Sequence, residues 1–180
     1  MSTACVITGV GRDRVGIVAQ LSEFLRRHGC NIMDSSMTKL RGEFALILMV
    51  SVDDDKYDQL KNDLEQDQGK MGLLVSVRKL DAAELAESTE QENLFVIRLY
   101  GADKAGIVAR VTSELAKLSL NITDVQTKMI SQATGDVFVM LLEAGAPASL
   151  TEQILKQTLA PLAKELGVNI SAEEVEVMEL

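Results

Sequence analysis

The spacing of apolar residues changes several times along the first eighty positions, and each change marks a new element. An apolar, β-branched run predicts a strand, and apolar residues three or four positions apart predict a helix with one buried face. The predicted elements are strand 3–10, a helix carrying Ile17, Val18, Leu21, Phe24 and Leu25, strand 31–40, strand 44–52, helix 53–66 and strand 72–80. Gly29 is predicted to end the first helix. The order is βαββαβ.

The same pattern returns ninety residues later, without a gap as far as the second strand and with three extra residues around "SQAT" after it. "DRVGIVAQLSEFLRRHGCNIMD" corresponds to "DKAGIVARVTSELAKLSLNITD", so the chain carries an internal repeat. We predict a first domain at residues 1–82, an acidic linker at 83–92 and a second domain at 93–180. The predicted class is α+β, with two ferredoxin-like βαββαβ domains. Each would be a four-stranded antiparallel sheet with two helices on one face, because right-handed crossovers place both helices on the same side.

The strand at 44–52 has a distinctive composition, because residues from Phe44 to Val50 are apolar at consecutive positions. Burial of both faces is therefore predicted, whereas the two helices would cover only one. We interpret this as a sign of self-association, giving a homo-oligomer through domain pairing. The alternative is an apolar central strand of a small sheet.

Composition narrows the class of protein. The net charge is −9, and no segment is a basic patch, so direct nucleic-acid binding is not expected. No apolar run reaches the length of about 20 residues that a membrane helix needs, and we expect a soluble, cytoplasmic protein without membrane contact. Cys5 and Cys30 are interpreted as buried free thiols, and no metal site or cofactor is expected.

The glycine loop "GVGRDRVGIV" resembles a nucleotide-binding loop only superficially. Its spacing is G-x-G-x₄-G, the repeat lacks the first glycine, and no Walker lysine follows. An acylphosphatase-like enzyme could use Arg12, Arg14 and Asn31, but the second copy has Ala102 and Lys104. The single histidine, His28, has no counterpart and is interpreted as a helix-end residue. No catalytic residue is therefore predicted.

The residues that the two copies share suit a free amino acid. Gly16 and Gly106 open the first helical turn to a ligand carboxylate, because its N–H groups are free and the helix end is positive. Asp13 and Asp103 could bind an ammonium group, and Asn31 and Asn121 offer both donor and acceptor. Alternatives remain for each type: an N-cap for Asp, helix–strand packing for Gly and turn formation for Asn.

The two repeated segments closely resemble the ACT domain, over residues 1–82 and 93–180. That family's pattern is an acidic residue or Asn, a Gly that opens the first helix and Asn-Ile at the second strand. The resemblance implies binding of small effectors, usually amino acids, beside the loop after the first strand and between two domains. By position it implicates Gly11, Asp13, Gly16, Ile17, Asn31 and Ile32, and in the second copy Gly101, Asp103, Gly106, Ile107, Asn121 and Ile122.

Two ACT domains without a catalytic domain resemble stand-alone regulatory ACT proteins. The resemblance implies a transcriptional regulator of glycine or amino-acid metabolism that contacts a DNA-binding regulator, with glycine or serine as the suspected ligand. The alternative partner is an amino-acid biosynthetic enzyme, for which the chain would be a detached regulatory subunit. The family often has Pro before the helix-opening Gly, whereas Val15 and Ala105 stand here, and the two loops differ, so the two sites need not bind the same ligand.

Overall fold

The elements of the first half follow the predicted order. The computed structural model describes residues 2–85, 93–132 and 135–175, and the chain divides into two units, Met1–Glu87 and Ser88–Leu180. The elements of the first unit are β1 (Ser2–Arg12), α1 (Ile17–Arg27), β2 (Asn31–Leu40), β3 (Glu43–Asp53), α2 (Tyr57–Met71), β4 (Leu73–Lys79) and a short α3 (Ala82–Leu85). The helix α3 begins at the last residue of the predicted first domain and extends into the predicted linker, whose residues 86–92 are outside the described ranges.

The four strands of the first unit form an antiparallel sheet in the order β2-β3-β1-β4. One face is buried beneath α1 and α2, where Cys5 and Ile7 of β1 meet Leu21 and Leu64 of the helices in one apolar cluster. The predicted α+β architecture is confirmed. The edge strand β2 is exposed along its whole length.

The central strand β3 buries only one of its faces within the chain. Leu46, Leu48 and Val50 are buried, whereas Ile47 between them is 53% exposed. The helices therefore cover only one face of this strand, as predicted, and the burial of its other face by self-association stays a prediction. The reason is geometric, since both helices pack on the same side of the sheet and strand residues alternate between its faces.

The second unit repeats the arrangement. Its elements are β5 (Asn93–Ala102), α4 (Ile107–Lys117), β6 (Asn121–Gln132), β7 (Gly135–Ala146), α5 (Glu152–Leu166) and β8 (Val168–Val175). The strand order is β6-β7-β5-β8, which is equivalent to that of the first unit. Phe95, Ile97, Met140 and Leu155 belong to its buried core.

The end of the first helix has the same geometry in both units. Gly29 adopts a φ of 69°, and the N–H of Cys30 donates to the carbonyl of Leu25 over 3.0 Å. Ser119 takes the place of Gly29 in the second unit, with a φ of 60°. Each helix thus ends in a left-handed residue that turns the chain back into the sheet, as predicted at Gly29.

Candidate ligand site

The loop that follows β1 is held against the β2–β3 hairpin. The N–H of Asp13 donates to the carbonyl of Gly42 over 2.8 Å. The carboxylate of Asp13 forms an ion pair with the ammonium group of Lys39, near the end of β2. These two contacts hold Asp13 at the end of the first sheet where the β2–β3 hairpin turns.

The first turn of α1 and that of α4 lack a side-chain cap. Gly16 and Gly106 occupy the N-cap positions, with φ of 86° and 88°. No side chain caps the N-terminus of α1 or of α4, and neither first turn contains an acidic residue. The interpretation of Asp13 or Asp103 as an N-cap is therefore wrong. By contrast, the hydroxyl of Thr151 caps α5. The N-termini of α1 and α4 consequently present N–H groups and a positive helix end to an incoming anion.

The glycines at these N-caps are required by backbone conformation and not by a neighbouring atom. A Cβ on Gly16 or Gly106 would meet nothing within 4 Å. The positive φ is a conformation that side chains other than glycine rarely adopt. The position that a Cβ would take at either N-cap is therefore free of neighbouring atoms.

Gly11 and Gly101 have a different role from the one that the repeat suggested. A Cβ on Gly11 would lie 2.1 Å from the carbonyl oxygen of Gly72, and one on Gly101 would lie 2.7 Å from Cγ1 of Val168. Both glycines let the end of the first strand approach the start of the last strand. This packing is sufficient to explain why glycine stands at these two positions.

Ile17 and Ile107 point into the cores. Their side chains are buried within the clusters of their own units. These two side chains are therefore not available to a ligand, and the backbone N–H of Ile107 already donates to the carbonyl of Lys104 over 3.4 Å.

Asn31 and Ile32 lie at the opposite end of the sheet from the loop. Asn31 stands opposite Ser51, which in turn stands opposite Ala4 near the start of β1. Asp13 lies nine positions further along the chain from Ala4, which at about 3.3 Å per residue corresponds to roughly 30 Å. A single unit does not bring Asn31 and Asp13 together.

The second unit has the same separation. Asn121 stands opposite Gly145, which pairs with Leu94 near the start of β5, whereas Asp103 directly follows that strand. Asn31 and Asn121 are both exposed at the first position of an edge strand. Ile32 is 40% exposed, so its side chain lies at the surface beside Asn31.

The two aspartates differ in their surroundings. Met129 of β6 takes the register position that Lys39 has in β2, since each stands opposite a phenylalanine, Phe138 and Phe44. Within the part of the chain that the structure describes, the Asp13–Lys39 ion pair has no counterpart at Asp103. Lys39 was not predicted from the sequence, because the two copies do not share it.

The basic residues that follow each aspartate stabilise helix ends. Arg14 donates to the carbonyl of Met71 over 2.8 Å, and Lys104 donates to the carbonyl of Leu166 over 2.6 Å. Each cation therefore binds the carboxyl end of the second helix of its unit, where a positive charge is favourable. Arg14 is thus used in packing, which weighs against a role in binding an acyl phosphate.

The single histidine binds two oxygen atoms far from the loop. Nδ1 of His28 lies 2.8 Å from the carbonyl oxygen of Phe24, and Nε2 lies 2.9 Å from Oδ2 of Asp63. The ring also stacks on Phe24 at 4.3 Å between centroids. His28 therefore connects the end of α1 to α2, which agrees with a helix-end role and adds Asp63 as its partner.

The two thiols are held in their protonated form. Burial raises the pKa of Cys30 to about 11, and burial also raises the pKa of the Cys5 thiol. Both cysteines are free. Among the described residues, no group of three or more His, Cys, Asp or Glu side chains is placed to hold a metal ion.

Comparison with known proteins agrees with the repeated architecture. The model of the ACT domain family matches residues 3–78 and again residues 93–173. The glycine cleavage system transcriptional repressor of Escherichia coli (strain K12) is 24% identical over 172 residues, which covers 94% of this chain and 89% of that protein. A UPF0237 protein of Pyrobaculum aerophilum is 36% identical over 78 residues, covering 42% of this chain and 87% of that protein.

Solved structures give the same result. The crystal structure of an unknown protein from Galdieria sulphuraria has a TM-score of 0.83 and 29% identity, and the match covers 98% of this chain and 100% of that one. None of the described helices is both long enough and apolar enough to cross a lipid bilayer. The chain belongs to the ACT domain family and carries two copies of the domain.

Proposed function

We propose that the chain is a non-catalytic regulatory protein that binds a small amino acid, glycine or serine, beside the loop after the first strand of its ACT domains. The observation that carries this proposal is the uncapped helix end beside an aspartate, which occurs in both copies. The N–H groups of the first turn would bind the ligand carboxylate. Asp13 or Asp103 would bind its ammonium group, and an open helix end with Gly at the N-cap leaves room for both.

The roughly 30 Å between Asp13 and Asn31 supports a site shared by two chains. A two-fold axis perpendicular to the sheet reverses the direction of a strand, so antiparallel pairing of β2 with β2 of a second copy places the loop end of one chain beside the Asn31 end of the other. The exposed edge of β2 has unpaired N–H and C=O groups that favour such pairing. We therefore propose a homo-oligomer in which Asn31 of one chain completes the site at Asp13 of another.

The partner that receives the signal is proposed to be a protein. The net charge of −9 disfavours direct contact with nucleic acid. The similarity over 94% of the chain to a protein named as a transcriptional repressor supports contact with a DNA-binding regulator. A detached regulatory subunit of an amino-acid biosynthetic enzyme is the alternative, and a cytoplasmic location stays a prediction.

Calorimetric titration of the full chain with each of the twenty amino acids tests this function. Glycine or serine is expected to give saturable heat that is lost in the double variant Asp13→Asn/Asp103→Asn. Asp67→Asn is a matched control, because Asp67 lies on α2 and pairs with Lys70, and its binding should equal that of the wild type. An absence of binding by all twenty would remove the proposed function.

The acylphosphatase-like alternative has its own test. Hydrolysis of acetyl phosphate by the wild type that disappears in Arg12→Ala, with the fold retained, would show an enzyme. We expect no hydrolysis above the rate in buffer.

A further inference from the structure

A small cavity opens on the face of the first sheet that the helices leave uncovered. Its volume is about 130 Å³, and it is lined by Asp34, Ser35, Ser36, Ile47 and Met49. The register explains the grouping, since Asp34 stands opposite Met49 and Ser36 stands opposite Ile47. The two pairs lie side by side on the face of the sheet opposite the helices. The β-bulge between Ile32 and Asp34 sets this register.

The two oxygens of the Asp34 carboxylate differ in their hydrogen bonds. Oδ1 accepts the N–H of Ser35 over 2.6 Å. Among the described residues, no side chain donates to Oδ2. The carboxylate can therefore accept a further hydrogen bond from outside the chain.

The second unit shows what group fits beside this carboxylate. Asp124 stands opposite Glu143 and Gln126 opposite Leu141, which reproduces the two pairs after an identical bulge. Nε2 of Gln126 donates to Oδ2 of Asp124 over 3.1 Å. In the first unit the position of Gln126 is held by Ser36, whose shorter side chain leaves that donor missing.

We propose that this cavity is a second binding site, specific to the first unit, for a primary alkylammonium group. Asp34 is the only charged residue of the lining, so it favours a cation, and the lining offers no cation to a ligand carboxylate. Ile47 and Met49 supply an apolar floor for a short alkyl chain. At roughly 30 Å³ per water-sized group, the volume holds about four non-hydrogen atoms, the size of n-propylammonium.

This site is independent of the amino-acid site at the loop. It lies on the outer sheet face, and its ligand lacks the carboxylate that an open helix end would bind. Failure of the two sites is therefore distinguished by the ligand, glycine or serine for the loop site and n-propylammonium for this one.

Titration of the full chain with n-propylammonium chloride, followed by the methyl resonance of Met49, tests the proposal. The wild type is expected to show a saturable shift. Asp34→Asn should bind at least tenfold more weakly, which is on the order of one hydrogen bond to a charged group. Ser36→Gln introduces the side chain of the second unit and should abolish the shift. Asp124→Asn, the equivalent change in the second unit, should bind as the wild type does.

Three results would overturn the proposal. One is a shift that does not saturate, and another is an equal shift with sodium propionate or sodium chloride. The third is undiminished binding by Ser36→Gln. Because Ser36→Gln keeps the carboxylate and only fills the cavity, it tests the site even if Asp34→Asn fails to fold.

Discussion

The carbonyl oxygen of Gly72 lies 2.1 Å from the point that a Cβ on Gly11 would occupy. Since the obstacle is a backbone atom, it cannot move aside as a side chain does. Gly72 is itself fixed by a φ of 68° at the end of α2. The contact therefore joins the end of β1 to the α2–β4 connection, and it explains a shared glycine without any ligand.

Gly11→Ala is expected to lower the free energy of unfolding by about 3 kcal/mol or more, at the upper end of overpacking effects. Gly101→Ala should cost less, about 1–3 kcal/mol, because its nearest neighbour is the side chain of Val168. Urea denaturation of the full chain measures both. Equal stability of Gly11→Ala and the wild type would contradict the packing role.

Gly16→Ala separates backbone strain from steric conflict. A Cβ at this position meets no atom within 4 Å, so the expected cost is only that of a left-handed residue, about 1–2 kcal/mol. The uncapped N–H groups stay in place, and amino-acid binding should persist where the fold is retained. Urea denaturation and calorimetry on the same sample check both statements, and a loss of more than about 3 kcal/mol would show an unrecognised contact.

Lys39 is expected to compete with the ligand ammonium group for Asp13. Lys39→Met installs the residue that the second unit has at this register position, and it should strengthen amino-acid binding at the first site severalfold, on the scale of an exposed ion pair. Calorimetry compares this variant with Lys56→Met, which removes a lysine paired with Asp53 and not with the loop. Weaker binding by Lys39→Met than by the control would assign Lys39 to the ligand site instead.

The ring of His28 connects the end of α1 to α2, because Nδ1 faces the carbonyl oxygen of Phe24 and Nε2 faces Oδ2 of Asp63. A double-mutant cycle with His28→Leu and Asp63→Asn should give a coupling free energy of about 1 kcal/mol, because the two side chains are in direct contact. Urea denaturation of the wild type, the two single variants and the double variant measures this coupling. Strictly additive effects of the two changes would contradict the contact.

Cys30 is expected to react slowly with iodoacetamide at neutral pH. A pKa of about 11, against 9.0 for an ordinary thiol, leaves roughly a hundredfold less of the reactive thiolate. The rate measured by mass spectrometry should rise about tenfold per pH unit up to pH 11. Since the pKa in the folded state is raised, the unfolded thiol ionises first, and this contribution to stability should be lost as the pH rises above about 9. Rapid labelling at pH 7 would show that Cys30 is not held as described.

The order of elements and the repeat were predictable because both depend on local spacing. The alternation from Phe44 to Val50 could not be resolved from composition, since every residue there is apolar and only the position of the helices decides which face is buried. The reason for Gly11 was equally inaccessible, because Gly72 lies far away in sequence. The partner of Asp13 was missed because Lys39 is not part of the shared motif.

The position of Asn31 follows from topology and not from motif. The strands β1 and β2 both pair antiparallel with β3 and therefore run in the same direction, so β2 must start at the far end of the sheet from the loop. A motif that is continuous in sequence is thereby divided between two ends of one domain. This division is the basis for proposing a site shared by two chains.

Mixing two inactive variants tests that proposal most directly. One chain carries Asp13→Asn/Asp103→Asn and the other carries Asn31→Ala/Asn121→Ala, and the two are refolded together in equal amounts. If each site takes its loop from one chain and its strand from another, neither variant alone binds glycine or serine. In the mixture, about half of the randomly formed dimers contain both variants, and one of the two sites in each of these is intact. The mixture should therefore recover about a quarter of the wild-type binding capacity. Calorimetric binding by the mixture no greater than the sum of the two separate variants would contradict a site shared between chains.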